Sequence, residues 1–387
     1  MQPSSVTVQS VKTYPSINGS YLVLELTNLC NLKCVHCAVS ETGHAHHAST
    51  GYLDKTLVEA LIEDMVSQQL QIDVLILFWL GEPLMHPDFE WIYRRFIRAM
   101  RDYKIFKSIE VHSNAILLNG GKRRLFLNAL PVSQRLHCTI DAYTSEVYTE
   151  VKGRDVIAQV QQNVEALLLA KRNLKVQNPR IVLQYIVGSN NVQDIPAFLN
   201  HWTGYFAQIG LPMFISAGQV PSGDLDGLFF RQLDCPTEVE QRRETTVFLD
   251  AMRALGISFP QGAPVVEQDS PLSMKHAARF EDNRLQPCSG FWKSPTIDWR
   301  GNLTSCTRDN LLENSLGNIG KSSFSSLWWG PKQTRNRLKV GCGEYQDLTL
   351  CQTCFIPKSC NHTEISSEEI QAYHASLPVG QRDEVFK

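Results

Sequence analysis

The stretch Tyr21-Leu-Val-Leu-Glu-Leu-Thr27-Asn-Leu-Cys30-Asn-Leu-Lys-Cys34-Val-His-Cys37 decides how the rest of the chain is read. An apolar run with the character of a buried strand leads directly into a loop that holds three cysteines, spaced x3 and then x2. A loop of this length can gather three thiolates around one soft metal centre, and softness alone allows iron–sulfur, zinc or copper(I). The missing fourth ligand is more informative. Structural zinc prefers a closed tetrahedral site, and His36 sits too close to its neighbours to complete one. An iron left open can instead receive a small molecule.

Outward from this loop, short apolar runs alternate with longer amphipathic ones, the pattern of βα units and a parallel sheet. Strands are expected at Tyr21–Thr27, Asp73–Trp79, Ser108–His112, Arg135–Ile140, Arg180–Val187 and Met213–Ser216. Leu57, Val58, Leu61, Ile62 and Met65 share one helical face behind an Asp54 cap. Further helices are expected near Asp88–Tyr103, Val192–Phe206 and Thr237–Leu255. Six such repeats make an open α/β barrel, whose site belongs at the carboxyl ends of the strands.

The strand ends carry polar groups. Gly81-Glu82-Pro83 follows the second strand, where glycine permits close backbone approach, proline stiffens the loop and Glu82 can accept from an ammonium. His112-Ser113-Asn114 closes the third strand and reads equally as a polar turn. Asp141 ends the fourth, with Tyr148, Lys152, Gly153 and Arg154 beyond it; it can cap the next helix or orient a basic partner. Gln184 interrupts the apolar fifth strand, as a ligand-facing group or as a satisfied buried amide.

A second cysteine set lies in the last third. Cys288 precedes Gly301-Asn-Leu-Thr-Ser-Cys306, and Cys342, Cys351, Cys354 and Cys360 follow. Residues 295–306 read as a hairpin turning at Arg300-Gly301, able to meet a Cys351-x2-Cys354 pair. Four thiolates suffice for a closed cluster, and paired cysteines of this kind also bind zinc.

Taken together, these motifs resemble the radical S-adenosylmethionine (SAM) superfamily with a SPASM/twitch extension. The resemblance implies a partial (β/α)6 TIM-like barrel followed by a cysteine-rich C-terminal extension. It implies that Cys30, Cys34 and Cys37 hold a [4Fe–4S] cluster whose open iron binds SAM. Gly81, Glu82 and Pro83 match a GGEP motif that binds the SAM amino group, with Leu80 in place of the first glycine. Ser113 and Asn114 occupy positions that contact the SAM ribose or carboxylate, and Gln184 is a further candidate for SAM or substrate. Thr139 to Gly153 is similar to a pattern found in members with cysteine-rich extensions. The SPASM pattern holds through Cys360 but meets Glu364 where a cysteine is called for. One auxiliary [4Fe–4S] cluster on Cys288, Cys306, Cys351 and Cys354 is therefore expected. Cys342 and Cys360, with His362 assisting, are left for a second, incomplete site.

The domain expectation is a flexible segment at 1–19, the barrel at 20–219, a linker or lid at 220–287, the auxiliary domain at 288–362 and a helix or tail at 363–387. Length fits one large and one small domain: 387 residues, 43% hydrophobic and 20% charged. A net charge of −2 gives no basic field for nucleic acid. The longest apolar run, Val74–Leu80, is too short to span a bilayer, and the polar first twenty residues lack a signal-peptide design. Eleven cysteines in such a chain suggest metal rather than disulfides, hence a cytoplasmic location.

The resemblance implies an oxidoreductase that cleaves SAM to a 5′-deoxyadenosyl radical, removes a substrate hydrogen and passes an electron to the auxiliary cluster. The substrate is expected to be a small carbohydrate- or aminocyclitol-like metabolite, with a flavodoxin or ferredoxin as electron donor. The alternatives are a maturase acting on a precursor peptide and a redox-neutral epimerase with Cys235, Cys342 or Cys360 as hydrogen donor. Asp309 and Arg308, just after Cys306, are the candidate base and substrate anchor.

Overall fold

The structure is a computed structural model that describes residues 20–37, 49–128, 132–259, 287–354 and 365–377. Its centre is one ten-stranded sheet. The strands are β1 (Tyr21–Leu24), β2 (Ile72–Leu77), β3 (Phe106–Ser113), β4 (Ser133–Thr139), β5 (Arg180–Val187), β6 (Met213–Ala217), β7 (Asp226–Gln232), β8 (Thr296–Ile297), β9 (Asn302–Thr304) and β10 (Gly317–Asn318). They lie in the order β10-β9-β8-β1-β2-β3-β4-β5-β7-β6. From β8 through β6 every neighbouring pair is parallel, as the alternating pattern requires.

Helices cover the outer face because their apolar stripes match the strands' outward residues. Helix Lys55–Ser67 buries Val58, Leu61, Ile62 and Met65 behind Asp54, whose carboxylate accepts from the Thr56 amide. Helices Phe89–Tyr103, Ile157–Leu174 and Ile195–Ile209 repeat the arrangement around one continuous core.

Two features differ from the sequence expectation. Residues 226–232, placed in the linker by sequence, form β7 and insert between β5 and β6. Gly227 makes this possible: a Cβ there would stand 2.1 Å from the Phe214 carbonyl oxygen. Helix Glu238–Ala254 then packs beside β5 and β7, while residues 260–286 lie outside the described residues. The second feature is that the C-terminal hairpin is continuous with the barrel. Val23 and Leu24 of β1 register with Thr296 and Ile297 of β8, and β9 and β10 extend the sheet antiparallel. The two cysteine sets thus hang from adjacent strands of one sheet.

Candidate functional site

The first cysteine loop is held from below by the C-terminal end of helix Ser145–Lys152, which follows β4. Lys33 and Val35 donate backbone hydrogen bonds to the carbonyls of Lys152 and Val151, at 3.2 and 3.0 Å. Gly153, at φ +72°, lies so close that a Cβ would stand 2.8 Å from the Lys33 carbonyl oxygen. Beneath them Asp141 takes the partner-orienting role: its Oδ2 pairs with Lys152 Nζ at 2.5 Å and its Oδ1 accepts from the Ile186 amide. It does not cap the next helix, Ser145–Lys152; just before that helix the Asp194 carboxylate accepts from the amides of Tyr143 and Thr144. His36 Nε2 lies 3.1 Å from Asn190 Oδ1.

The loop after β2 closes over the same region. Gly81 has no room for a side chain, since a Cβ would stand 2.1 Å from the Thr27 carbonyl oxygen. Glu82 is buried, and its carboxylate is fully engaged by the Leu84 amide, the Ser113 hydroxyl and the Asn114 amide at 2.8–3.0 Å. Glu82 thus staples the loops after β2 and β3 together. Burial raises its pKa to about 6, against those three hydrogen bonds. Asn114 also reaches Asn31 in the cysteine loop, Nδ2 to Oδ1, at 2.7 Å.

Cys30, Cys34 and Cys37 lie around one space. Burial pushes the Cys30 thiol up to about 12, with Glu82, Cys34 and Cys37 adding to it, and burial likewise raises Cys34. Cys288, Cys306, Cys351 and Cys354 converge in the same way: burial, then Cys288 and Cys354, push Cys306 up to about 12. Cys351 is raised by burial, followed by Cys306, Cys288 and Cys354. Two donors already face these sulfurs, the Arg308 amide at 3.3 Å from Cys306 Sγ and Asn314 Nδ2 at 3.6 Å from Cys351 Sγ.

Crowded thiols of this kind are thiolates only beside a cationic centre, so both sets fit a metal group. Thiolate sets of this kind suit an iron–sulfur cluster or a tetrahedral zinc. Cys342 is exposed at the end of helix Pro331–Gly341, and Cys360 and His362 lie outside the described residues.

Between the barrel interior and the second set lies a cavity of about 640 Å³. Cys288, Cys306, Cys351 and Cys354 form one wall; Glu110, His112, Arg135, His137 and Gln184 form the other. Arg308 also lines it and donates to the Cys235 carbonyl at 3.0 Å. Asp309 is not in the lining. Its carboxylate, 1% exposed, accepts from Thr304 Oγ1 and from the amides of Glu313 and Asn314, bracing the turn after Cys306. Cys235 is buried outside the lining. The Glu110, Arg135 and His137 face was not singled out from sequence. Its signal is the alternation Glu110-x-His112 and Arg135-x-His137, ionisable residues at every second position of two core strands.

The model of the radical SAM superfamily matches residues 24–200, and that of an iron–sulfur cluster-binding domain, SPASM, matches residues 288–355. Among curated proteins, the chain is similar to the GTP 3′,8-cyclases of Shewanella denitrificans and Photorhabdus laumondii. It is 25% identical to each, over 185 and 189 residues. These alignments take in 47% of this chain and 49% and 50% of theirs, so the chain spans about half the length of the curated relatives it matches. Among solved structures, anSMEcpe with bound AdoMet is 14% identical with a TM-score of 0.55, covering 95% of this chain and 93% of that one. Streptococcus suis SuiB bound to precursor peptide SuiA is 11% identical with a TM-score of 0.54, covering 92% and 72%. These likenesses are of fold. No helix among the described residues is long and apolar enough to cross a membrane.

Proposed function

Since the chain belongs to the radical SAM superfamily and carries a C-terminal SPASM iron–sulfur domain, we propose that it is an oxidoreductase acting on a small hydroxyl-bearing metabolite. The observation that carries this reading is the cavity whose one wall is the second cysteine set and whose other wall is the polar interior of the barrel. Oxidation by one-electron steps needs an acceptor close to the substrate, and this arrangement supports one. Cys30, Cys34 and Cys37 would hold the cluster that binds SAM, and Cys288, Cys306, Cys351 and Cys354 the auxiliary cluster. When bound, these groups supply reductive SAM cleavage and a one-electron acceptor.

The chain's own residues do the positioning. Gly81 and Pro83 shape the backbone that faces the first cysteine loop, while Glu82, Ser113 and Asn114 lock the neighbouring strand ends. Gln184 and Arg308 reach the cavity as substrate contacts. A flavodoxin or ferredoxin would deliver the electron that starts each turnover, in the cytoplasm.

The test is anaerobic incubation of the reconstituted enzyme with SAM, reductant and panels of polyols, amino sugars and short peptides. The expected result is 5′-deoxyadenosine formation that depends on a polyol or amino sugar, with a product two hydrogens lighter. Turnover with peptides alone, or a product of unchanged mass carrying solvent deuterium, overturns the proposal.

A further inference from the structure

Beside the four cysteines, the cavity lining holds a polar cluster from the barrel strands. Glu110 and His112 on β3 register directly with Arg135 and His137 on β4, so the four side chains form two cross-strand pairs on the inner face. The two imidazoles stack with centroids 4.1 Å apart and planes 8° from parallel, and Phe78 stacks on the far side of His112 at 5.2 Å. Glu110 anchors the group: Oε1 accepts from Arg135 Nη1 at 2.5 Å, while Oε2 faces His112 Nε2 at 3.5 Å and His137 Nε2 at 3.7 Å.

Two histidines and a carboxylate within 4.8 Å have the composition of a metal site. Their orientation opposes one. Parallel rings direct their lone pairs side by side rather than at a common point, and a guanidinium already holds the carboxylate. What the cluster lacks is a hydrogen-bonding ligand. His137 is 3% exposed; Gln184 is its hydrogen-bonding neighbour and Glu110 Oε2 stands 3.7 Å from its Nε2, but neither ring nitrogen is met at full hydrogen-bond geometry. Arg135 Nε is buried and unpartnered. Buried polar atoms without partners are rare in folded proteins and mark a place where something binds.

The unfilled atoms define what that something is. Arg135 Nε–H only donates. Burial, then His112 and Arg135, holds His137 well below the ordinary imidazole pKa, so the ring is neutral and offers one donor and one acceptor. The complement must both accept and donate. A carboxylate only accepts and an ammonium only donates, whereas an alcohol hydroxyl does both. We propose that His137, Arg135 and Gln184 form the seat of a substrate hydroxyl, with His137, oriented by Glu110, taking that hydroxyl's proton. This rests on the oxidoreductase reading of the same cavity. As the carbinol carbon becomes a carbonyl, the O–H bond breaks, its electron pair stays on oxygen to build the C=O bond, and the proton passes to the free nitrogen of His137. The carbon's hydrogen atom and the odd electron leave by the one-electron chemistry that SAM and the iron–sulfur clusters supply.

The test is turnover-free binding to reconstituted enzyme without reductant, read by saturation-transfer NMR with myo-inositol, ribitol and glucosamine, and with succinate as the carboxylate control. At least one polyol should bind saturably, His137→Leu should weaken it tenfold or more, and Gln184→Leu should weaken it less. Iron content and circular dichroism at wild-type values keep both variants interpretable. Binding of no polyol, equal binding to His137→Leu, or a preference for succinate overturns the seat. Polyol oxidation that proceeds unchanged in His137→Leu also overturns it and leaves the oxidoreductase reading standing. Binding that depends on His137, with no oxidation of any bound alcohol, overturns the proton-transfer role and that reading instead.

Discussion

Asp141 and Lys152 form an ion pair sealed beneath the first cysteine loop, 2.5 Å apart with side chains 5% and 4% exposed. Burial opposes the ammonium, and the charge of Asp141, with Cys34 and Tyr148 beyond it, more than offsets this and holds the lysine pKa above its ordinary value. The lysine's backbone carbonyl receives the Lys33 amide, so the pair fixes the floor on which the three cysteines stand. Removing one partner leaves an uncompensated buried charge, which costs about 3–5 kcal/mol. Lys152→Met should lose that much in denaturant unfolding and lose iron at the first cysteine set. The double variant Lys152→Met/Asp141→Asn should recover most of the stability, because exchanging a whole buried pair is often nearly neutral. A single variant as stable as wild type would show that the pair does not support the loop.

The cysteine loop, the Gly81-Glu82-Pro83 turn, the parallel sheet and the convergence of Cys288, Cys306, Cys351 and Cys354 were all legible in the sequence, because each is written in local spacing and period. What was not legible depends on partners far along the chain. Glu82 looks like a ligand group until Ser113 and Asn114 are seen to use its carboxylate. Asp309 looks like a base beside Cys306 until Thr304, Glu313 and Asn314 claim it. Strand β7 was hidden in a stretch rich in turn residues, Pro221-Ser-Gly-Asp-Leu-Asp-Gly227, and only the close approach to Phe214 explains its glycine.

Asp309 should therefore act on the auxiliary domain's integrity and not as a proton acceptor. Asp309→Asn turns an amide group toward donors that need acceptors, at a cost of about 1–3 kcal/mol. Iron bound at the second cysteine set should fall while iron at the first set is retained, which Mössbauer or iron analysis would read. Full iron content combined with lost turnover would restore Asp309 as a catalytic base.

Iron stoichiometry separates the cysteines. Reconstituted protein should hold about eight iron per chain, and a Cys30→Ala/Cys34→Ala/Cys37→Ala variant about four. Cys342→Ala, which changes an exposed thiol, should keep the wild-type count. A loss of iron on changing Cys342 alone would point to a second auxiliary site.

Glu25 gives the pH dependence a defined sign. Its carboxylate joins three parts of the chain, accepting from the amides of Leu80 and Trp299 at 3.2 and 3.1 Å while sitting at the end of β1. Burial, opposed by the Trp299 hydrogen bond and reinforced by Asp298, raises its pKa from 4.5 to about 8. The folded state thus binds a proton that the unfolded chain releases between these two values. The contribution to stability is fully present below pH 4.5 and is lost as the pH rises through about 8. Across that window one proton corresponds to about 1.4 kcal/mol per pH unit. Denaturant unfolding at pH 5.5, 6.5 and 7.5 (about one unit apart, inside the linkage window) should show wild-type stability falling more steeply than that of Glu25→Gln by about this slope. The glutamine cannot ionise, and every other titrating group is common to both proteins, so the difference isolates Glu25. Parallel pH profiles would mean that the carboxylate is already charged in the folded protein, held by the Leu80 and Trp299 amides.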